Sequence, residues 1–174
     1  MSSLAFEIEG DDEIIRRLNK LLGRVETIQT VLAEAGNRIV DNIRLTFTDS
    51  ESPYGVAWAP LSPVTIAKPV IPGGATLRGD GQPLLNTGTL RDSIALATVG
   101  NAVEIGTNDP RAPTHQFGAR QGEYGRSSRN GPIPWGDVPA RPFLPIRGGS
   151  VDLPDDWQGD VLDALESALG EVLR

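Results

Sequence analysis

The chain has 174 residues, a net charge of −7, no cysteine and one histidine. The missing thiols exclude disulfides, thiolate metal sites and a cysteine nucleophile, and one imidazole excludes a site built on several histidines. Its 20 glycines and 14 prolines exclude a plain helical bundle and point to long loops. No run approaches the roughly 18 apolar residues of a membrane span. The start, Met1-Ser2-Ser3-Leu4-Ala5-Phe6, lacks the basic and apolar regions of a signal peptide.

In chain order, Leu4, Phe6 and Ile8 alternate with polar or small residues, which predicts a short strand ended by Gly10. Asp11 and Asp12 then offer a helix N-cap. From Ile14 to Phe47 apolar residues recur at steps of three and four, which is an amphipathic helix. Gly23 breaks it, leaving a long helix from about Val25. Gly36 falls inside that helix and is read as a point of close packing. Residues 49–89 are a long Pro- and Gly-rich loop. Loops of that length are commonly functional or ordered by a partner. Thr87 caps a turn of helix begun at Gly88. Ile94–Val99 and Ala102–Ile105 flank Gly100-Asn101 and predict a hairpin. Pro110–Gly118 is a turn or short helix carrying His115. Residues 119–137 read as a variable, mobile loop. Val138–Leu144 is extended, with prolines that suit an edge strand. After Gly148-Gly149, one face made of Trp157, Val161, Leu162, Leu165, Ala168, Leu169 and Val172 predicts a C-terminal helix.

Charge is uneven along this path. Residues 1–50 sum to −3, residues 51–150 to +2 and residues 151–174 to −6. The middle is rich in arginine, which suits protein interfaces through its planar, two-pronged donors. Acidic ends and an arginine-rich middle could meet between subunits.

Little of this looks like catalysis. No Gly-x-Ser-x-Gly turn accompanies His115, and Asp109 is the only acid near it. The run Pro72–Gly81 lacks the Gly-Lys-Ser/Thr ending of a phosphate loop, and its Arg78-Gly79-Asp80 tripeptide is short enough to arise by chance. No cofactor and no metal is expected. Arg120, Arg126 and Arg129, with Tyr124, are the candidates for contact with DNA.

Several segments are more telling together. They are Pro53-Tyr54-Gly55, Trp58-Ala59-Pro60-Leu61-Ser62-Pro63, Leu84-Leu85-Asn86-Thr87-Gly88-Thr89-Leu90-Arg91-Asp92-Ser93-Ile94, Val103-Glu104-Ile105-Gly106-Thr107, His115-Gln116-Phe117-Gly118, and Pro139-Ala140-Arg141-Pro142-Phe143-Leu144. In this order, over about residues 10–147, they resemble the phage virion morphogenesis family, the Mu-like tail completion proteins. Arg111-Ala112-Pro113-Thr114 departs from the family's usual Tyr-Ala-x before the His-Gln-Phe-Gly segment.

The resemblance implies a structural, non-enzymatic virion protein at the head–tail neck, assembled in the bacterial host. It would complete or terminate the tail and form a ring, hexameric, around the DNA channel. Its partners would be its own copies, the tail tube and head-completion proteins, and DNA would pass without specific binding. The alternatives are a head-closure or stopper adaptor touching the DNA end, and a virion-associated enzyme.

The expected fold is α+β, an antiparallel sheet against a long N-terminal and a C-terminal helix. One domain, 1–174, is expected: a strand and helices over 1–48, the loop 49–89, a sheet region 90–147 with its variable loop 119–137, and the last helix over 150–174. Candidates for contact between subunits are Trp58, Leu61, Arg91, Phe117, Arg141 and Phe143. Trp58 could equally anchor the core, and Arg91 could pair within its own helix. Gly106 would end the second hairpin strand for reasons of backbone geometry. His115 and Phe117 would pack their turn on the sheet, and Ala140–Phe143 would lie along a partner's edge.

Overall fold

The long apolar stripe becomes the longest element. The computed structural model describes residues 25–66, 82–99 and 102–172. In it helix α1 runs Val25–Asp49. The break expected at Gly23 lies outside the described residues. The strand expected at Leu4–Ile8 and the short helix before Gly23 lie outside the described residues. Val31, Ala35, Val40, Ile43 and Phe47 are buried on one face of α1. The ion pairs Arg38–Glu34 and Arg44–Asp41 lie on its solvent side, where such pairs add little stability.

Helix α1 ends in a left-handed cap. Ser50 has φ 56°, and the Glu51 amide donates to the Thr46 carbonyl at 3.1 Å. This satisfies one of the carbonyls that the last turn leaves without a partner. The chain then folds back, with Trp58 N donating to Ser50 O at 2.8 Å. The indole of Trp58 meets the ring of Phe47 edge-on, centroids 5.6 Å apart, and Phe143 closes on Phe47 at 5.2 Å. These three rings, with Ile43, Leu90, Ile94 and Trp157, are the core. A one-turn helix α2, Pro63–Ile66, follows, capped by Ser62 Oγ accepting from Thr65 N.

Past the residues outside the description, α3 (Thr89–Asp92) leads into β1 (Ala95–Val99). Thr87 Oγ1 accepts from Thr89 N at 3.4 Å, while the cap position itself is Gly88, φ 75°. Strand β1 pairs antiparallel with β2 (Ala102–Gly106), from Ala95↔Gly106 to Val99↔Ala102, so the hairpin stands as predicted. Alternate residues face α1. The Leu96 and Val103 side chains fill the space that a Cβ on Gly36 would need, which is the close approach read from the sequence. Gly106 closes β2, yet its φ is not left-handed and nothing crowds its Cα. The expected need for glycine there is not met.

Helix α4 (Ala112–Phe117) carries the lone histidine. Residues 138–144 are extended, but only Val138 forms a bridge, with Ala119. They are not a sheet edge. Strands β3 (Ile146–Arg147) and β4 (Ser150–Val151) form a small second hairpin. Gly148 and Gly149 have φ 57° and 82°, the positive pair that a two-residue hairpin turn requires. Helix α5 (Asp155–Val172) packs along α1, with Asn42 Nδ2 donating to Asp160 Oδ2 at 2.9 Å. Its buried face includes Trp157 and Ala164, whereas Leu162 is 58% exposed. The sequence stripe therefore assigned Leu162 to the wrong side. The class is α+β, as expected, with two separate two-stranded sheets among the described residues.

Candidate functional site

The His115–Gly118 segment is a clamp. Gln116 is buried, and its Oε1 accepts from the amides of Phe143 and Leu144, each at 3.0 Å. Its Nε2 donates to Leu144 O at 3.0 Å. One side chain thus supplies the hydrogen bonds of a missing strand. Arg141 N donates to His115 O at 2.7 Å. Gly118 has φ 77°, and a Cβ there would lie 2.9 Å from Val138 O and 3.0 Å from Ala140 N. Only glycine lets the two segments approach this closely.

Three predicted contact residues are used up inside the chain. Phe143 is fully buried, and Trp58 and Arg141 nearly so. The Arg141 guanidinium donates to Ala59 O at 2.8 Å and Pro60 O at 3.0 Å, and Trp58 Nε1 donates to Pro142 O at 2.9 Å. Together they tie the loop after α1 to the 138–144 segment. The Ala140–Phe143 stretch is thus held by its own chain, and these side chains cannot reach a partner without unfolding the core.

The region around His115 is electrostatically settled. Burial first, then the charge of Arg141, pushes the imidazole below its usual pKa, and its Nδ1 is buried without a hydrogen-bond partner. Asp109 is engaged by Arg111, not by His115. Arg111 N and Nε each donate to Asp109 Oδ1 at 2.9 Å. These bonds hold the carboxyl at about 2.

The other candidates lie at or near the surface. Leu61 is half-buried. Arg91 is bound to Asp92, Nε to Oδ1 2.7 Å, so it pairs within its own short helix. Phe117 does not pack on the sheet and is 66% exposed. Arg120, Arg126 and Arg129 are exposed on the segment read as a mobile loop. That segment is irregular but internally tied. Ala119 and Val138 exchange both amide bonds, Tyr124 N reaches Ile133 O at 2.8 Å, and Ile133 N reaches Gly125 O at 2.9 Å. Residues 119–138 therefore form an arm. It displays Tyr124, Ile133 and Trp135, the last 74% exposed, with its ring laid over Gly131. Sequence reasoning named Tyr124 but passed over Trp135, whose signal was its bracketing by Pro134 and Gly136. It also passed over Gln116, which nothing in the pattern marks as buried.

A groove of about 870 Å³ opens where α1 meets α5. Asp49, Glu51, Asp152, Asp155, Asp156 and Asp160 line it, with Leu45, Tyr54 and Trp157. Arg147 is the one cation among its lining residues. Its guanidinium sits 3.5 Å from the centre of the Tyr54 ring, and it pairs with Asp152 at 3.8 Å. The Tyr54 hydroxyl donates to Asp152 O at 2.8 Å. Its pKa is raised, by burial first and by Asp152 second.

The family model described as the phage virion morphogenesis family matches residues 10–170. The chain belongs to that family. It is 35% identical over 86 residues to the Mu-like prophage FluMu G protein 2 of Haemophilus influenzae. The match covers 49% of this chain and 51% of the relative, so it spans about half the length of each. No solved structure shows significant similarity to the chain. The family is described by virion morphogenesis. Among the described residues no helix is long and apolar enough to cross a membrane. What a member of this family presents here is an arginine-bearing aromatic arm and a separate acidic groove.

Proposed function

We propose that this chain is a structural subunit of the head–tail neck of a phage particle. It completes or terminates the tail and closes into a ring, six-membered, around the DNA channel. The family match over residues 10–170 carries this reading, and the prophage protein similar to half the chain supports it. The geometry at His115 favours a mechanical task, because its acid is committed to Arg111. A closed ring joins unlike surfaces of successive copies, and the arm and the groove are two such surfaces. Six copies carry a net charge of about −42, a field that repels phosphate and lets DNA pass. The neighbours in this reading are the tail tube and the head-completion proteins.

Deleting the gene from the phage tests the proposal. Electron microscopy is expected to find filled heads and tails that remain unjoined, and supply of the protein in trans restores whole particles. Normal particles lacking the protein would overturn it.

The arginines of the arm favour a second reading, a head-closure or stopper adaptor touching the DNA end. It requires DNA binding that weakens steeply with salt, with the slope falling by about one for each arginine removed from the arm.

A further inference from the structure

We propose that the arm of residues 119–138 docks, through Trp135 and its tip arginines, into the acidic groove of a second copy of this chain. This deepens the ring reading and rests on it for its purpose.

The arm has the marks of a binding element. Its backbone is tied by amide hydrogen bonds from the Ala119–Val138 pair to Ser127 N on Gly131 O, so little ordering remains to be done on docking. An exposed tryptophan on such a support is the kind of anchor that dominates interfaces. Exposing it in the free subunit otherwise gains nothing.

Charge selects the occupant. Residues 124–135 carry Arg126 and Arg129 and no acid. Arg126 is exposed and spends one nitrogen, Nη1, on Asn130. The groove places six carboxylates against one arginine, around Leu45 and Tyr54. Its volume of about 870 Å³ admits an indole with its flanking residues. Arm and groove share no residue, which leaves each copy free to dock its arm on one neighbour and receive the arm of another, as a ring requires. DNA is the weaker candidate for the arm, because two tip arginines sit on a chain of net charge −7.

The test is a charge swap read by sedimentation velocity over a concentration series. Wild type is expected to grow beyond a monomer. R126E/R129E and D155R/D156R, each checked for an unchanged melting curve, are expected to associate at least ten-fold more weakly. Mixed in equal amounts they regain association, because each then offers the charge the other needs. Trp135→Ser keeps the charges and is also expected to lose association.

Indole fluorescence gives a second readout. Trp58 and Trp157 are already buried, so a blue shift on assembly reports Trp135. A wild type that stays monomeric, or a mixture no better than its parts, overturns the proposal. So does salt-sensitive DNA binding lost in R126E/R129E while association is unchanged, which would assign the arm to nucleic acid. None of these failures touches the neck reading, which is decided by the particles formed without the gene.

Discussion

Gln116 stands where a neighbouring strand would. Its amide holds three backbone groups of Phe143 and Leu144, all beside the ring cluster. Gln116→Leu keeps the bulk and strands those groups. Each buried group left unpaired costs about 1–3 kcal/mol, so the variant is expected to lose at least ~2 kcal/mol in urea unfolding. A loss within error would mean that the segment is held by packing alone. His115 allows a pH prediction. Its folded-state pKa lies below the ordinary 6.5, so the unfolded chain takes up the proton first as pH falls. Stability from this group is present above 6.5 and is lost as pH drops below it. His115→Asn is expected to flatten that part of the profile, measured as urea midpoints at pH 7.5 and 5.5. Asp109 works at the acid end. With its carboxyl held at about 2 against an ordinary 3.8, its contribution is present above 3.8 and lost as pH falls toward 2. Asp109→Asn is expected to reduce the acid sensitivity of the fold in that window, read by the same titration.

At the scale of elements, Gly36 decides how near the β1–β2 hairpin comes to α1. Gly36→Ala gains roughly 1 kcal/mol of helix propensity, but it drives a methyl into Leu96 and Val103. Overpacking of this kind costs about 1–3 kcal/mol, so the balance is a net loss of about 1 kcal/mol. Adding Leu96→Ala would relieve the clash, and the double variant is expected to lose less than the two single changes summed. A gain in stability from Gly36→Ala alone would mean that the hairpin floats free of the helix. The period of α1 was legible because its apolar stripe runs for many turns. The hairpin was legible because two β-rich runs flank a glycine-containing turn. The C-terminal stripe was legible in period and, through Trp157, in phase, but not at its margin. Leu162 looks apolar enough to face the core, yet Trp157 and Ala164 set which side meets α1. The 138–144 segment resembles an edge strand because prolines and alternation look alike whether the partner is a strand or a glutamine.

On the scale of the whole molecule, charge is sorted into places that linear sums only suggest. Asp152, Asp155, Asp156 and Asp160 of the acidic last residues meet Asp49 and Glu51 from the end of α1 in one groove, opposite in sign to the arm. Association through these surfaces is expected to weaken several-fold between ~50 mM and ~500 mM salt. At those strengths the screening length falls from roughly 14 Å toward 4 Å. Sedimentation at the two strengths measures it. Association that strengthens with salt would point to an apolar contact elsewhere.

The order of sequence segments sufficed for the family, the α+β class, the long helix and the hairpin, because those follow from local period and from residues adjacent in the chain. Which aromatic and basic residues remain outside was decided only in three dimensions. Trp58, Arg141 and Phe143 look like anchors when read in line. The Gln116 clamp and the fold-back after Ser50 draw them into one core, where their rings and guanidinium are satisfied. Trp135 also sits beside a proline, but among the described residues no element closes over it. Burial is a property of what arrives from elsewhere in the chain, and no local pattern records that.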